Sequence, residues 1–176
     1  MPDTKMFFLA AVLCVAVAVP AFGQQKDVVH PDTVCRICGM DLKKFVFSRM
    51  LLEFPDGSSA GVCSLHCAAL EIAVTLDKSP NKIKVVDLET RQMIDAETAF
   101  WVIGGNRPGV MSKRGKWAFE NKEDAQVFMR KNKGKLVSFK DAIKGAYEDI
   151  YDDTIMIREK RDAYNKMKKL EEGHRP

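Results

Sequence analysis

The segment AGVCSLHCAALEIAVTL, residues 60–76, decides the fold of the first half of the chain. Its opening residues are small or β-branched and predict a short strand from Ala60 to Cys63. A helix is predicted from Ser64 to Leu76, because serine is a favoured N-cap residue and the apolar side chains after it recur at helical spacing. That apolar stripe consists of Leu65, Ala69, Ile72, Ala73 and Leu76. The pattern therefore predicts a strand that runs directly into an amphipathic helix.

The flanking segments extend this pair into a ββαβ unit. The stretch from Phe45 to Phe54 is rich in strand-forming residues, and Pro55-Asp56-Gly57 is a turn signal, which together predict a hairpin with the next strand. Ser79-Pro80-Asn81 ends the helical segment, and a further strand is predicted from Ile83 to Leu88.

The same order of elements recurs in the second half. Its segments are a strand from Ala99 to Ile103, a glycine-rich loop from Gly104 to Gly115, a strand from Lys116 to Phe119, a helix from Asn121 to Lys131 and a strand from Leu136 to Phe139. We therefore predict an α+β fold of two tandem ββαβ units, at about 35–88 and 95–141, with antiparallel sheet and helices on one face. Coincidence of short patterns is the alternative.

The end of the chain has a different composition. Residues 142–176 form a highly charged extension that predicts a C-terminal helix to Leu170, docked or partly free, before a mobile tail from Glu171. Charges of both signs interleave there, which is typical of a solvated helix, and the formal net charge of the whole chain is only +4. We therefore expect no nucleic-acid binding.

The N-terminus predicts export. An apolar run from Met6 to Val19 is followed by Pro20 and by Ala21-Phe22-Gly23, which suits signal peptidase cleavage before Gln24. We therefore expect a signal peptide at 1–23, a domain at 24–141, a periplasmic location and no membrane span in the mature chain. An uncleaved membrane anchor is the alternative. Lipidation of Cys14 is not expected, because the residue before it is leucine rather than a small residue.

Sulfur donors concentrate in the segment TVCRICGM, residues 33–40. Cys35 and Cys38 can face the same way around a tight turn, and Met40 adds a thioether next to them. Arg36 lies between the thiols, where its charge would favour the thiolate form. A thioredoxin-like redox motif shares this spacing, but here the motif precedes a hairpin instead of opening a helix.

A second cluster occurs where the first helix begins. Cys63, His66 and Cys67 lie within five residues, at a helix N-terminus that lowers thiol pKa values. The histidine could equally be an ordinary buried or surface residue. The four cysteines remaining after signal removal could also form two disulfides, although such short loops gain little stability from them.

Two of the methionines favour copper. Met40 and Met111 lie in loops beside glycine, where a flexible apolar side chain has little packing role, whereas Met50, Met129 and Met156 fit a core. A thioether is a good donor to Cu(I) and a poor one to Zn(II). The loop around Met111 also carries Arg107, Lys113 and Arg114, which predict either a solvated loop or a docking surface for an acidic partner.

These motifs in this order resemble the NosL family. The segments that carry the resemblance are Cys35-x-x-Cys38-Gly39-Met40, Val86-Asp87, Asp95-Ala96-x-x-Ala99, Pro108-x-x-Met111, Ala118-Phe119, Ala125-x-x-Phe128 and Val137-x-x-Phe139. The resemblance implies an exported copper-binding accessory protein that supports maturation of the copper centre of nitrous oxide reductase, with tandem ββαβ units similar to the organomercurial lyase scaffold. The chain departs from the family in lacking a lipobox and in having the Cys63–Cys67 cluster.

The leading hypothesis is a Cu(I) metallochaperone that delivers copper to a partner cuproenzyme. Its candidate ligands are Cys35, Cys38, Met40, Cys63, His66, Cys67 and Met111, and the part played by His30 is left open. The alternative is a structural Zn(II)-binding interaction module with Cys35, Cys38, Cys63 and either His66 or Cys67. Enzymatic cleavage of carbon–metal bonds rests on fold analogy alone, so we expect no enzyme activity.

Overall fold

A computed structural model of the chain describes residues 33–173, which form seven strands and three helices. The elements in chain order are β1 (Met50–Glu53), β2 (Ser59–Val62), α1 (Leu65–Val74), β3 (Lys82–Val86), β4 (Met93–Asp95), β5 (Phe100–Ile103), β6 (Lys116–Phe119), α2 (Lys122–Asn132), β7 (Lys135–Val137) and α3 (Phe139–Gly173). The predicted signal peptide, its cleavage site and His30 lie outside the described residues.

The strands form two antiparallel sheets, one in each half. The first has the order β2-β1-β3-β4 and the second the order β6-β5-β7. Helix α1 packs against β1 and β2, and α2 packs against all three strands of the second sheet. The predicted α+β fold with tandem ββαβ units and a C-terminal helix is confirmed.

Each half buries its own apolar face. In β1, Met50 and Leu52 are buried while the residues between and after them are half-buried, as expected for a strand with one face on the core. Leu52 pairs with Ala60, and Met50 pairs with Val62, so the hairpin presents a continuous apolar surface to α1. The second core lies under α2, where Phe128 contacts the rings of Trp117 and Phe119 at centroid distances of 6.4 and 5.3 Å.

Asp87 joins the two halves. Its fully buried carboxylate accepts hydrogen bonds from the backbone N–H groups of Glu89 and Thr90, from the Thr90 hydroxyl, and from the N–H of Glu120 after β6. Burial raises the pKa of this carboxyl, but the hydrogen bonds outweigh that effect and hold its pKa below the usual value. Asp87 therefore stays ionised as a buried connector.

The structure corrects the predicted start of the first strand. Residues 42–48 form successive turns, and the strand begins only at Met50. The turn is closed by backbone hydrogen bonds from Ser48 and Arg49 to the carbonyl of Phe45. Phe47 packs on Trp117 with their ring centroids 6.1 Å apart, so this aromatic residue contacts the second core instead of continuing the sheet.

Three other boundaries differ from the prediction. Strand β4 was not predicted, because three residues are too few for an alternating pattern. Helix α3 begins at Phe139, where the last strand was expected to end, and it continues to Gly173, beyond the predicted end at Leu170. Ala142 and Ala146 are buried against the body, whereas the side chains from Arg158 to Glu172 are exposed. Within residues 33–173, no helix combines the length and apolar character needed to cross a bilayer.

Candidate metal centre

Four thiols from two separate segments meet in one small volume. Cys35 and Cys38 lie in the loop before β1, Cys63 follows β2, and Cys67 lies in the first turn of α1. Their sulfur atoms all lie within 4.8 Å of one another. Both the Cys38–Cys63 and the Cys63–Cys67 sulfur pairs are separated by 3.6 Å, and all four residues are free cysteines. The thiols therefore approach across the two segments and are not locked as local disulfides.

The first loop is a tight turn held to the sheet. The N–H of Cys35 donates to the carbonyl of Met40 at 2.7 Å, and the N–H of Gly39 donates to the carbonyl of Cys35 at 2.8 Å. Gly39 has a φ of 74°, which glycine adopts without steric strain. The N–H of Arg36 reaches the carbonyl of Gly61 in β2 at 3.2 Å, so the sheet fixes the first thiol pair relative to the second.

The second pair depends on the junction between β2 and α1. Ser48 donates a hydrogen bond from its hydroxyl to the carbonyl of Cys63 at 2.8 Å, which anchors the end of the strand. Ser64 occupies the predicted N-cap position with extended backbone, but its side chain makes no capping hydrogen bond. A helix starting at Leu65 places Cys67 within its first turn, but the predicted lowering of its pKa by the helix dipole is outweighed by its other contacts and its burial.

Burial and mutual hydrogen bonding shift the pKa values of the four thiols in different directions. Hydrogen bonds with Cys38, and then with the other two thiols, hold the pKa of Cys35 far below its usual value. The hydrogen bond with Cys35 raises the pKa of Cys38, but contacts with the other two thiols outweigh it and the net shift is downward. Hydrogen bonds with Cys35 and burial raise the pKa values of Cys63 and Cys67. The pKa shifts are therefore downward in the first pair of thiols and upward in the second.

His66 does not belong to the group of four thiols and contacts α3 instead. It is buried between α1 and α3, and its Nδ1 lies 3.2 Å from Oδ2 of Asp153. Among the described residues, the group of ligand atoms that lie together contains only the four cysteines. Burial lowers the pKa of His66, and the nearby Asp153 partly opposes that shift. Asp153 also accepts a hydrogen bond from the N–H of Lys113 at 3.0 Å, so this histidine takes part in fixing α3 to the body.

Met40 and Met111 are half-buried beside the same core. Both pack against the apolar cluster to which Cys35, Cys63 and Cys67 belong. Met111 has a φ of 58°, a left-handed conformation that is uncommon for a residue other than glycine. The long loop before β6 therefore folds back on the half of the molecule that contains the thiols.

A buried carboxylate next to the site was not predicted. Glu71 is 2% exposed, and its Oε1 has no hydrogen-bond partner among the described residues. That oxygen lies 3.6 Å from Nε of Arg36, so the guanidinium predicted to favour thiolates pairs with a carboxylate instead. The signal in the sequence was the four-residue spacing of Cys67 and Glu71, which places them on one face of the helix.

The basic loop predicted as a docking surface is largely engaged inside the molecule. Arg114 donates from Nε to Oδ2 of Asp149 at 2.8 Å, and the same carboxylate accepts a hydrogen bond from Lys116. The guanidinium of Arg107 lies 4.4 Å from the centre of the Trp117 ring. Of the three basic residues in this loop, Lys113 alone is exposed.

Known proteins resemble this chain both in sequence and in fold. The sequence profile of the NosL family matches residues 27–147, and no curated protein matches the chain in sequence. The crystal structure of the copper chaperone NosL from Shewanella denitrificans superimposes with a TM-score of 0.52 at 22% sequence identity. That alignment covers 61% of this chain and 87% of the other, and it shows a shared fold. Because the profile match spans well over half of its residues, the chain belongs to the NosL family.

Proposed function

We propose that this protein is an exported Cu(I) metallochaperone whose four clustered thiols hold the ion until a partner cuproenzyme receives it. The observation that carries the proposal is the convergence of four free sulfurs within 4.8 Å from segments on either side of the β1–β2 hairpin. Soft thiolate and thioether donors select soft ions such as Cu(I). Binding releases thiol protons, so affinity should rise with pH. The protein acts as a carrier in this proposal, with no chemical turnover.

The proposed ligands are the four cysteines, with Met40 and Met111 as auxiliary thioether donors. Both methionines pack against the core that holds the thiols, which supports a role near the ion. We assign His66 to positioning α1 against α3, because its Nδ1 pairs with the Asp153 carboxylate and neither of its ring nitrogens belongs to the group formed by the four sulfurs. This assignment reduces the proposed ligands from the seven residues suggested by the sequence to six.

A structural Zn(II) site is the second candidate, and one observation favours it. In a tetrahedral site with zinc–sulfur bonds of about 2.3 Å, neighbouring sulfurs are about 3.8 Å apart. The 3.6 Å separations of two sulfur pairs in this structure are close to that distance. A closed four-thiolate site of this kind would stabilise the fold and release its ion slowly. The two candidates therefore differ in metal preference and in the part played by the methionines.

Metal titration of the reduced protein separates the candidates. We expect residues 24–176 to take up one Cu(I) against a competing chelator, and we expect Met40→Ala with Met111→Ala to weaken that affinity about tenfold. Met129→Ala is the control, since it removes a thioether that packs against the second core and not against the core that contains the thiols. A preference for Zn(II), with Cu(I) affinity unchanged in the methionine variants, would replace the chaperone by the zinc module. X-ray absorption on the loaded protein counts the sulfur neighbours directly.

Nitrous oxide reductase is the client that the family resemblance suggests. The test is the copper content of that enzyme in cells that lack this protein, compared with cells that carry the Cys67→Ser variant. We expect both to accumulate enzyme depleted in copper. Normal copper content in both would point to another client while leaving metal binding by this chain intact.

A further inference from the structure

The four thiols differ in their access to solvent. Cys63 and Cys67 are fully buried and Cys35 is 1% exposed, whereas Cys38 is partly exposed. The sulfur of Cys38 lies 3.6 Å from that of Cys63, which in turn lies 3.6 Å from that of Cys67. The four sulfurs therefore form a compact group, and Cys38 is its outer end, the member nearest to solvent.

Two guanidinium groups flank this outer end. The side chain of Arg36, between the first two thiols in sequence, is 55% exposed, while its carboxylate partner Glu71 is 2% exposed and lies beneath it. Arg161, from the distal part of α3, donates a hydrogen bond to the backbone carbonyl of Cys38 at 3.4 Å. A molecule that approaches Cys38 therefore meets the guanidinium of Arg161, and also that of Arg36, whose charge is partly balanced by Glu71.

The surface around these groups is also basic. Side chains 158–169 of α3 are all exposed and include six basic residues against two acidic ones. The turn after the first thiol pair adds Lys43 and Lys44, both exposed. We call Arg36, Lys43, Lys44 and the exposed basic residues of 158–169 the basic rim.

We propose that the metal ion enters and leaves through Cys38, and that the protein exchanging it docks through an acidic surface against the basic rim. This inference rests on the proposed chaperone function and names the exchange point and the kind of partner. Transfer begins when a donor atom of the partner bonds to Cu(I) and the bond to Cys38 breaks, and the bonds to the remaining thiolates then break as further donors of the partner replace them. The copper stays Cu(I), and the released thiolate takes a proton from solvent. Complementary charge accelerates such encounters and makes them sensitive to salt.

The exchange point is tested on metal-free protein by limited alkylation. Reduced residues 24–176 are treated with iodoacetamide, and each cysteine-containing peptide is followed by mass spectrometry. We expect Cys38 to react at least about tenfold faster than Cys63 and Cys67, because it is partly exposed whereas the other two are fully buried. Equal rates, or prior reaction of a buried thiol, would overturn the exchange point. This measurement does not depend on which metal binds, so it separates this inference from failure of the chaperone function.

The docking surface is tested with small Cu(I) acceptors. Bathocuproine disulfonate is an anionic chelator, and neocuproine is an uncharged one with related donor chemistry. We expect Arg161→Glu to slow copper removal by the anionic chelator about threefold to tenfold at about 10 mM salt, and expect the difference to vanish at high salt. Removal by the uncharged chelator should not change.

Lys140→Glu is the matched control. It makes the same charge change on the same helix, 21 residues or about 32 Å away from Arg161. We expect it to leave both rates unchanged. If both variants slowed copper removal equally, the cause would be the net charge of the protein. If Arg161→Glu slowed removal equally with the two chelators, the cause would be a change in the metal site. Either result would overturn the proposed docking surface.

Discussion

Asp87 shows how one side chain can set the relation between the two halves of the fold. Its carboxylate accepts backbone hydrogen bonds from Glu89, Thr90 and Glu120, so it links the turn after β3 to the end of β6. The Asp87→Asn variant keeps the size of the side chain but turns an NH2 group towards one of these N–H donors. We expect a loss of about 2 to 4 kcal/mol in the free energy of unfolding, measured with urea at pH 7.

Asp95→Asn is the matched control for that change. Asp95 also accepts backbone N–H groups, from Glu97 and Thr98, but it is exposed in its turn. We expect it to lose less than about 1 kcal/mol, because water can replace its hydrogen bonds. Similar losses in the two variants would show that burial of Asp87 is not the cause.

The same residue predicts part of the acid sensitivity of the protein. The pKa of Asp87 is lower in the folded state than in the unfolded chain, where an aspartate titrates near about 3.9. Its contribution to stability is therefore complete above that unfolded value and is lost as the pH falls through the folded value. Unfolding experiments between pH 5 and pH 2 should show a shallower loss of stability in Asp87→Asn than in the wild type. Parallel curves would contradict this.

The members of the candidate site could be predicted from the sequence where the spacing between them is local. The pairs Cys35 and Cys38, and Cys63 and Cys67, stand out because each falls within a single turn. The partner of His66 could not be predicted, because Asp153 lies 87 residues away on a helix whose docking no local pattern records. The pairing of Arg36 with Glu71 was missed for the same reason.

Among the elements, the two helix starts at serine residues differ in a way that can be tested. Ser138, just before α3, accepts the N–H of Asp141 at 3.3 Å and donates its hydroxyl to the carboxylate of Asp141 at 2.8 Å. Ser64, before α1, has no side-chain capping bond. We expect Ser138→Ala to lower the free energy of unfolding of the metal-free protein by about 1 kcal/mol. Ser64→Ala should cost less, and the opposite order in urea titrations would refute this interpretation.

That cap also explains one error of the sequence analysis. Apolar residues from Leu136 to Phe139 favoured a strand, but the Ser138-x-x-Asp141 pattern is a helix start signal that lies inside it. The capping hydrogen bonds end the strand at Val137 and begin the helix two residues later. By contrast, the bounds of α1 and α2 were predicted to within two residues, although Ala73 and Leu76 of the predicted α1 stripe are exposed.

At the scale of the whole molecule, the four thiols lie in two segments that the β1–β2 hairpin separates along the chain. Any ion bound to all four sulfurs joins the loop before β1 to the start of α1. We expect Cu(I) or Zn(II) to raise the melting temperature of the protein, with a stabilisation of about 4 kcal/mol when free metal exceeds the dissociation constant about 1,000-fold. Calorimetry with and without metal measures it.

The Cys67→Ser variant provides the control for metal-linked stability. It should keep the metal-free fold, because a hydroxyl replaces a thiol of similar size, but it should lose most of the metal-dependent shift. A shift of equal size in this variant would mean that the metal binds elsewhere.

Helix α3 determines the outline of the protein. Its 35 residues extend over about 52 Å, whereas a compact body of about 100 residues, with a radius of gyration of about 13 Å, is only about 34 Å across. The side chains of its last fifteen fully described positions, 158–172, are exposed, so this part of the rod adds length without adding to the core. In solution the particle should therefore be elongated, sedimenting more slowly and tumbling more anisotropically than a sphere of equal mass.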